Sequence, residues 1–182
     1  MAGDTLLANL HQAMQNRHLY DSLKENRLAV LKQRLAREPD LTRQYQLNRQ
    51  LVEDYKKYKT DSAVRYAQQN LRLAGRMANA AYKDETSLQL AWLYSSSGLY
   101  IEAEALLRAI DRSKLAVHLL PNYFETYLSF CSRYGQSNGD VSYYQKSERY
   151  RDSLLAVLDT ASLRYKVVEA TRILYSGQSQ EA

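Results

Sequence analysis

The chain has 182 residues, enough for one domain with a sizeable core or for an elongated repeat array. With six Gly and two Pro, and with Val, Ile and Thr sparse beside Leu, Ala, Gln, Arg and Tyr, the composition predicts an all-α fold and excludes a sheet-based one. The formal charge of +5 comes from Lys and Arg interleaved with Asp and Glu, the pattern of solvated helix faces rather than of a nucleic-acid surface.

No apolar run approaches the roughly 20 residues of a membrane-spanning helix, and the N-terminus lacks the basic-then-apolar layout of a signal peptide. Met1-Ala2-Gly3 suits an added start on an excised segment. Cys131 is the sole cysteine, which excludes an internal disulfide and a cysteine-clustered zinc site.

In chain order, residues 1–40 are expected to form a long N-terminal capping helix. It runs from Asp4 to Arg37 with a stripe of Leu6, Leu7, Leu10, Met14, Leu23, Leu28, Leu31 and Leu35, and with Asp4 or Thr5 as its cap. Packing on the next helix is favoured over a dimerising coiled coil, because Arg17, His18 and Asp21 interrupt the stripe; a homodimer through this helix stays open. Pro39 ends the element.

Leu47, Leu51, Val52 and Tyr55 predict a second helix over 41–58, and Thr60 or Asp61 is expected to cap a third running to about Ala78. The best-defined stretch is 88–109. Leu90, Ala91, Leu93 and Tyr94 keep helical spacing, Ser95-Ser96-Ser97-Gly98 interrupts, and Ala103, Leu106, Leu107 and Ile110 resume the period. Gly98 stands where a helix end wants positive φ, and Ala103 where two antiparallel helices approach most closely.

Further helices are expected from Pro121 to a break in the polar run 135–139, from Asp140 through Leu158, and from Ser162 to Tyr175. Ser62 to Ala67 repeats the logic of Glu102 to Leu107, with Tyr58 in the place of the glycine and the turn assigned to Lys59, Thr60 and Asp61. At the far end, Ala170 matches Ala91, Gly177 matches Gly98 and Ala182 matches Ala103. The equivalent alanines give a period of about 40 residues, hence repeats near 41–80, 81–119 and 120–159 and a truncated one over 160–182, as in a fragment of a longer protein. Such pairs bury their apolar faces only by stacking.

Ala91, Tyr94, Gly98, Tyr100 and Ala103 resemble the signature of the tetratricopeptide repeat (TPR) in order and spacing. Residues 61–67, 97–103 and 150–155 are also similar to the TPR-containing regulator-like proteins of Bacteroidetes. That resemblance implies TPR-like helix-turn-helix repeats stacked as an α-α superhelix, and a non-enzymatic scaffold binding a protein or peptide. It implies the sensor or partner-docking region of a membrane-associated regulator on the periplasmic side; the alternative is a cytoplasmic TPR adaptor or a basic RNA-associated scaffold.

Carried over from the TPR groove, the ligand-facing positions would be Tyr45, Asn48, Val52, Tyr55 and Lys56 in the first repeat. In the second they would be Glu85, Leu88, Trp92, Ser95 and Ser96, with Trp92 as the anchor.

No nucleophile with a base, phosphate-cradling glycine loop or carboxylate pair stands out, so no catalytic residue, metal or cofactor is expected. His11 and His18 lie seven apart, where a helical metal site wants three or four. His118 and Cys131 read as structural, as do most of the sixteen tyrosines.

Overall fold

The computed structural model describes residues 17–178 together with Leu7, His11 and Gln12. The described residues form eight α-helices: α1 (Arg17–Arg37), α2 (Leu41–Tyr55), α3 (Thr60–Arg76), α4 (Ala80–Ser96), α5 (Tyr100–Arg108), α6 (Leu120–Asn138), α7 (Val141–Val157) and α8 (Leu163–Gln178). One 3-10 turn, Val117–Leu119, precedes α6. The fold is all-α, with helices stacked in TPR-like pairs: α2 packs on α3, α4 on α5 and α6 on α7, while α3 and α6 each lie against α4.

Of the expected N-terminal stripe, Leu28 and Leu31 are buried and Leu35 half-buried. Leu7, Leu19, Tyr20 and Leu23 are exposed, so within the described residues only the C-terminal half of α1 caps the array. Leu6, Leu10, Met14 and the proposed Asp4 or Thr5 cap lie outside the described residues. The capping half is tied down by Arg27 to Asp54 at 2.8 Å and by Glu25, which accepts from Tyr58 Oη and Lys59 Nζ at 2.8 Å each. Those two donors hold the half-buried Glu25 carboxyl below its ordinary range.

Three turns share one geometry. Leu99 N donates to Tyr94 O at 2.9 Å around Gly98 (φ +77°), Asp140 N to Gly135 O at 3.1 Å around Gly139 (φ +65°), and Asn79 N to Ala74 O at 3.1 Å around Ala78 (φ +49°). Each is a Schellman closure, in which a left-handed residue lets the chain satisfy the last carbonyls. The third uses alanine, which the sequence did not flag.

Other boundaries depart from expectation. Without a glycine at Tyr58, the first pair turns through 56–58, with the amides of Tyr58 and Lys59 both bonded to Tyr55 O at 2.8 Å. Lys59 is the cap residue, and Thr60 and Asp61 already belong to α3. α6 runs through the polar stretch to Asn138: Gly135 is helical and buried, and a Cβ there would meet Asp140 O at 3.1 Å. Its role is close approach of α7, not chain reversal.

α8 continues to Gln178, so Gly177 is helical rather than a turn, and Ala170 is exposed instead of buried like Ala91. Among the described residues no helix covers that side of α8; Ala182 lies outside them.

Two cores meet at α4. Leu90 and Leu93 pack with Leu28, Leu51, Tyr55, Ala63 and Ala67, whereas Leu88 and Ala91 pack with Ala103, Leu107, Phe124 and Leu154; half-buried Tyr94 and Leu106 touch both. Half-buried Tyr100 joins the second core, its ring meeting Tyr134 edge-on at 5.4 Å.

Gly98→Val should lower stability by about 1–3 kcal/mol through left-handed strain alone, since a Cβ meets nothing within 4 Å. Ala78→Gly should raise it by up to about 1 kcal/mol, because relief of the same strain exceeds the extra unfolded-state entropy. Ala103→Leu, at a fully buried contact, should cost about 1–3 kcal/mol by overpacking. Urea midpoints check all three; a stabilised Gly98→Val or a destabilised Ala78→Gly would contradict the turn assignment.

Candidate docking groove

The first helices of the three pairs each present one face at spacings of three and four. On α2 that face is Arg49, Val52, Glu53 and Lys56; on α4 it is Glu85, Leu88, Gln89 and Trp92; on α6 it is Asn122, Glu125 and Thr126. With Leu93 they line a cavity of about 550 Å³. Val52, Leu88 and Leu93 are buried and form its floor, and the half-buried Trp92 forms a wall.

Above this floor runs a ladder of polar rungs between α2 and α4. Arg49 donates to Glu85 at 3.0 Å, Gln89 donates to Glu53 at 3.2 Å, and Lys56 sits 6.0 Å from the Trp92 ring centroid while pairing with Glu53 on its own helix. Arg164 reaches from α8 to Glu125 and, at 3.1 Å, to Asn122. The three carboxylates therefore each have a cationic or amide partner. Exposed pairs of this kind contribute only about 0–1 kcal/mol, so a ligand can exchange their partners at small cost. Among the described residues no group of His, Cys, Asp or Glu is arranged to hold a metal, and no helix is long and apolar enough to cross a membrane.

The family described as the SusR N-terminal TPR domain matches residues 14–182. The chain belongs to that family. No curated protein is significantly similar to it. As a SusR N-terminal TPR domain, it is a helical-repeat scaffold of the kind that mediates protein interaction.

In this TPR domain, Val52, Lys56, Glu85, Leu88 and Trp92 come together in the groove. Five other residues expected there do not. Tyr45 is buried against Tyr82, ring centroids 4.2 Å apart, and Asn48 is buried beside a second cleft. Tyr55 is buried and stacked on Tyr66 at 5.8 Å, and Ser95 is buried with its hydroxyl donating to Ala91 O at 2.7 Å. Ser96 is exposed at the end of α4, outside the cavity lining, and donates to Trp92 O at 2.9 Å. One residue along a helix turns a side chain by about 100°, which separates buried Asn48 from groove-lining Arg49.

Arg49, Glu53, Gln89 and the α6 residues were missed. The signal that finds the first three is the offset of 36 residues between partners across the ladder, against the 40 used to align the repeats.

His118 is exposed in the 3-10 turn, and Cys131 is buried with its thiol pushed up to about 11 by desolvation. Neither lines the groove.

Proposed function

We propose that the groove across α2, α4 and α6 docks a protein or peptide segment, and that the domain is the non-catalytic sensor or partner-docking region of a membrane-associated bacterial regulator. The observation that carries this reading is Trp92, the only tryptophan, half-buried over an apolar floor and ringed by exchangeable polar pairs. Such a ring with a partly wet edge is the residue type that anchors interfaces.

The test begins with a displayed random-peptide library panned against the domain. Selected peptides should protect Trp92 fluorescence from iodide. Trp92→Ala should weaken their binding by about 2 kcal/mol or more, while costing less stability than the about 3–5 kcal/mol of a fully buried tryptophan. Emission that is blue-shifted and unquenchable in the free domain would move the docking surface elsewhere. Binding compared at about 50 and about 200 mM salt separates this reading from an RNA-associated scaffold, whose affinity would fall steeply.

A further inference from the structure

A second cleft, of about 390 Å³, opens over a different face of α2, between the end of α1 and the last turns of α3. We propose that it binds a phosphate-sized oxyanion carrying a hydroxyl hydrogen, namely free hydrogen phosphate.

Two independent features point there. Arg72 and Arg76 line the cleft one helical turn apart on α3, both exposed, and among the described residues neither forms an ion pair. The acid in the lining, Glu38, has its carboxylate accepting from Asp40 N at 3.1 Å. Two guanidiniums on one face match the oxygens of a tetrahedral anion, with charge-assisted bonds of the stronger class. The C-terminal end of α3 opposes an anion with about half a charge, which two full positive charges outweigh.

The second feature is Asn48. It is 2% exposed, it lines the cleft, and its Oδ1 has no hydrogen-bond partner. A buried amide acceptor in that state wants a donor. The P–OH of hydrogen phosphate supplies one while its remaining oxygens face the arginines, and the amides of Gln44 and Gln69 stand in the same lining.

Titration calorimetry at neutral pH and constant ionic strength tests this, with inorganic phosphate, glycerol phosphate and sulfate as probes. Phosphate should bind saturably, and the R72Q/R76Q double variant should bind it about tenfold more weakly. The R34Q/R37Q control, which removes the same charge from α1 outside the cleft, should bind it as the parent does. Sulfate has no hydroxyl to offer Asn48 and should also bind about tenfold more weakly than phosphate. Glycerol phosphate, whose second pKa of about 6 leaves its ester group without a P–OH at neutral pH, should bind more weakly than phosphate, as sulfate does, and equal binding would count against the contact with Asn48. Absence of saturable phosphate binding, equal binding by the double variant, or equal affinity for sulfate would overturn the proposal.

Discussion

Tyr45→Ala should destabilise the domain by about 3–5 kcal/mol, the range for removing a large buried ring. Tyr45 is 1% exposed, stacks on Tyr82 at an interplanar angle of 11°, and brings its hydroxyl within 2.8 Å of Thr86 Oγ1, 3.1 Å of Tyr82 O and 3.2 Å of Glu85 Oε2. Asn70 Nδ2 donates to its backbone carbonyl at 3.0 Å, so one side chain ties α2 to α4 and its main chain is tied to α3. Tyr45→Phe keeps the stack but strips the buried Thr86 hydroxyl of its partner, and should cost about 1–3 kcal/mol. Urea unfolding followed by circular dichroism gives both values. If the Phe variant were as stable as the parent, the hydroxyl network would be incidental to the α2–α4 contact.

The domain should also lose stability steeply in alkali. Desolvation pushes the Cys131 thiol from 9.0 up to about 11 and the Tyr150 phenol from 10.0 up to about 12; burial likewise raises Tyr45 and Tyr127. For each group the folded state keeps its proton after the unfolded chain has released it. Their contribution is therefore complete below pH 9.0, the ordinary thiol value, and declines as pH climbs towards the folded values. For Cys131 alone, the gap corresponds to about 2–3 kcal/mol of stability lost by about pH 11. Urea midpoints measured from pH 7 to about pH 11 should fall, and Cys131→Ala should flatten the earliest part of that fall. A midpoint independent of pH across this range would contradict the burial of these groups.

The helices were legible because their physics is local. Gly98 needs positive φ, Asp140 caps α7 by accepting from Ser142 N at 2.9 Å, and Pro121 stands in the first turn of α6. The apolar faces around Ala91 and Ala103 follow from a 3.6-residue period. Ala78 was invisible for the opposite reason: an alanine adopts left-handed backbone only when the packing on both sides imposes it, and nothing in its own chemistry announces that.

The groove was half legible. Val52, Leu88 and Trp92 were found because the repeat resemblance identifies which helix of each pair faces inward. Arg49, Glu53 and Gln89 were missed because pairing across the groove depends on how far neighbouring helices slide along each other, a quantity set by the lengths of α3 and of the turns on either side of it. An alignment anchored on Ala63 and Ala103 measures the spacing of the second helices, not that slide.

The position of α4 between two cores has a consequence for how the molecule opens. Leu90 and Leu93 anchor one half and Leu88 and Ala91 the other, so neither half can detach without exposing a face of this helix. In a stacked array each layer is stabilised mainly by its neighbours, and sub-global opening proceeds from the least supported layers. Amide protons of α4 should thus exchange last, with protection decaying outward through α3 towards α1 and through α6 towards α8. Trp92 projects from that slowest-exchanging helix, and an occupant of the groove would grip the one segment whose loosening severs the array into two independently fraying stacks.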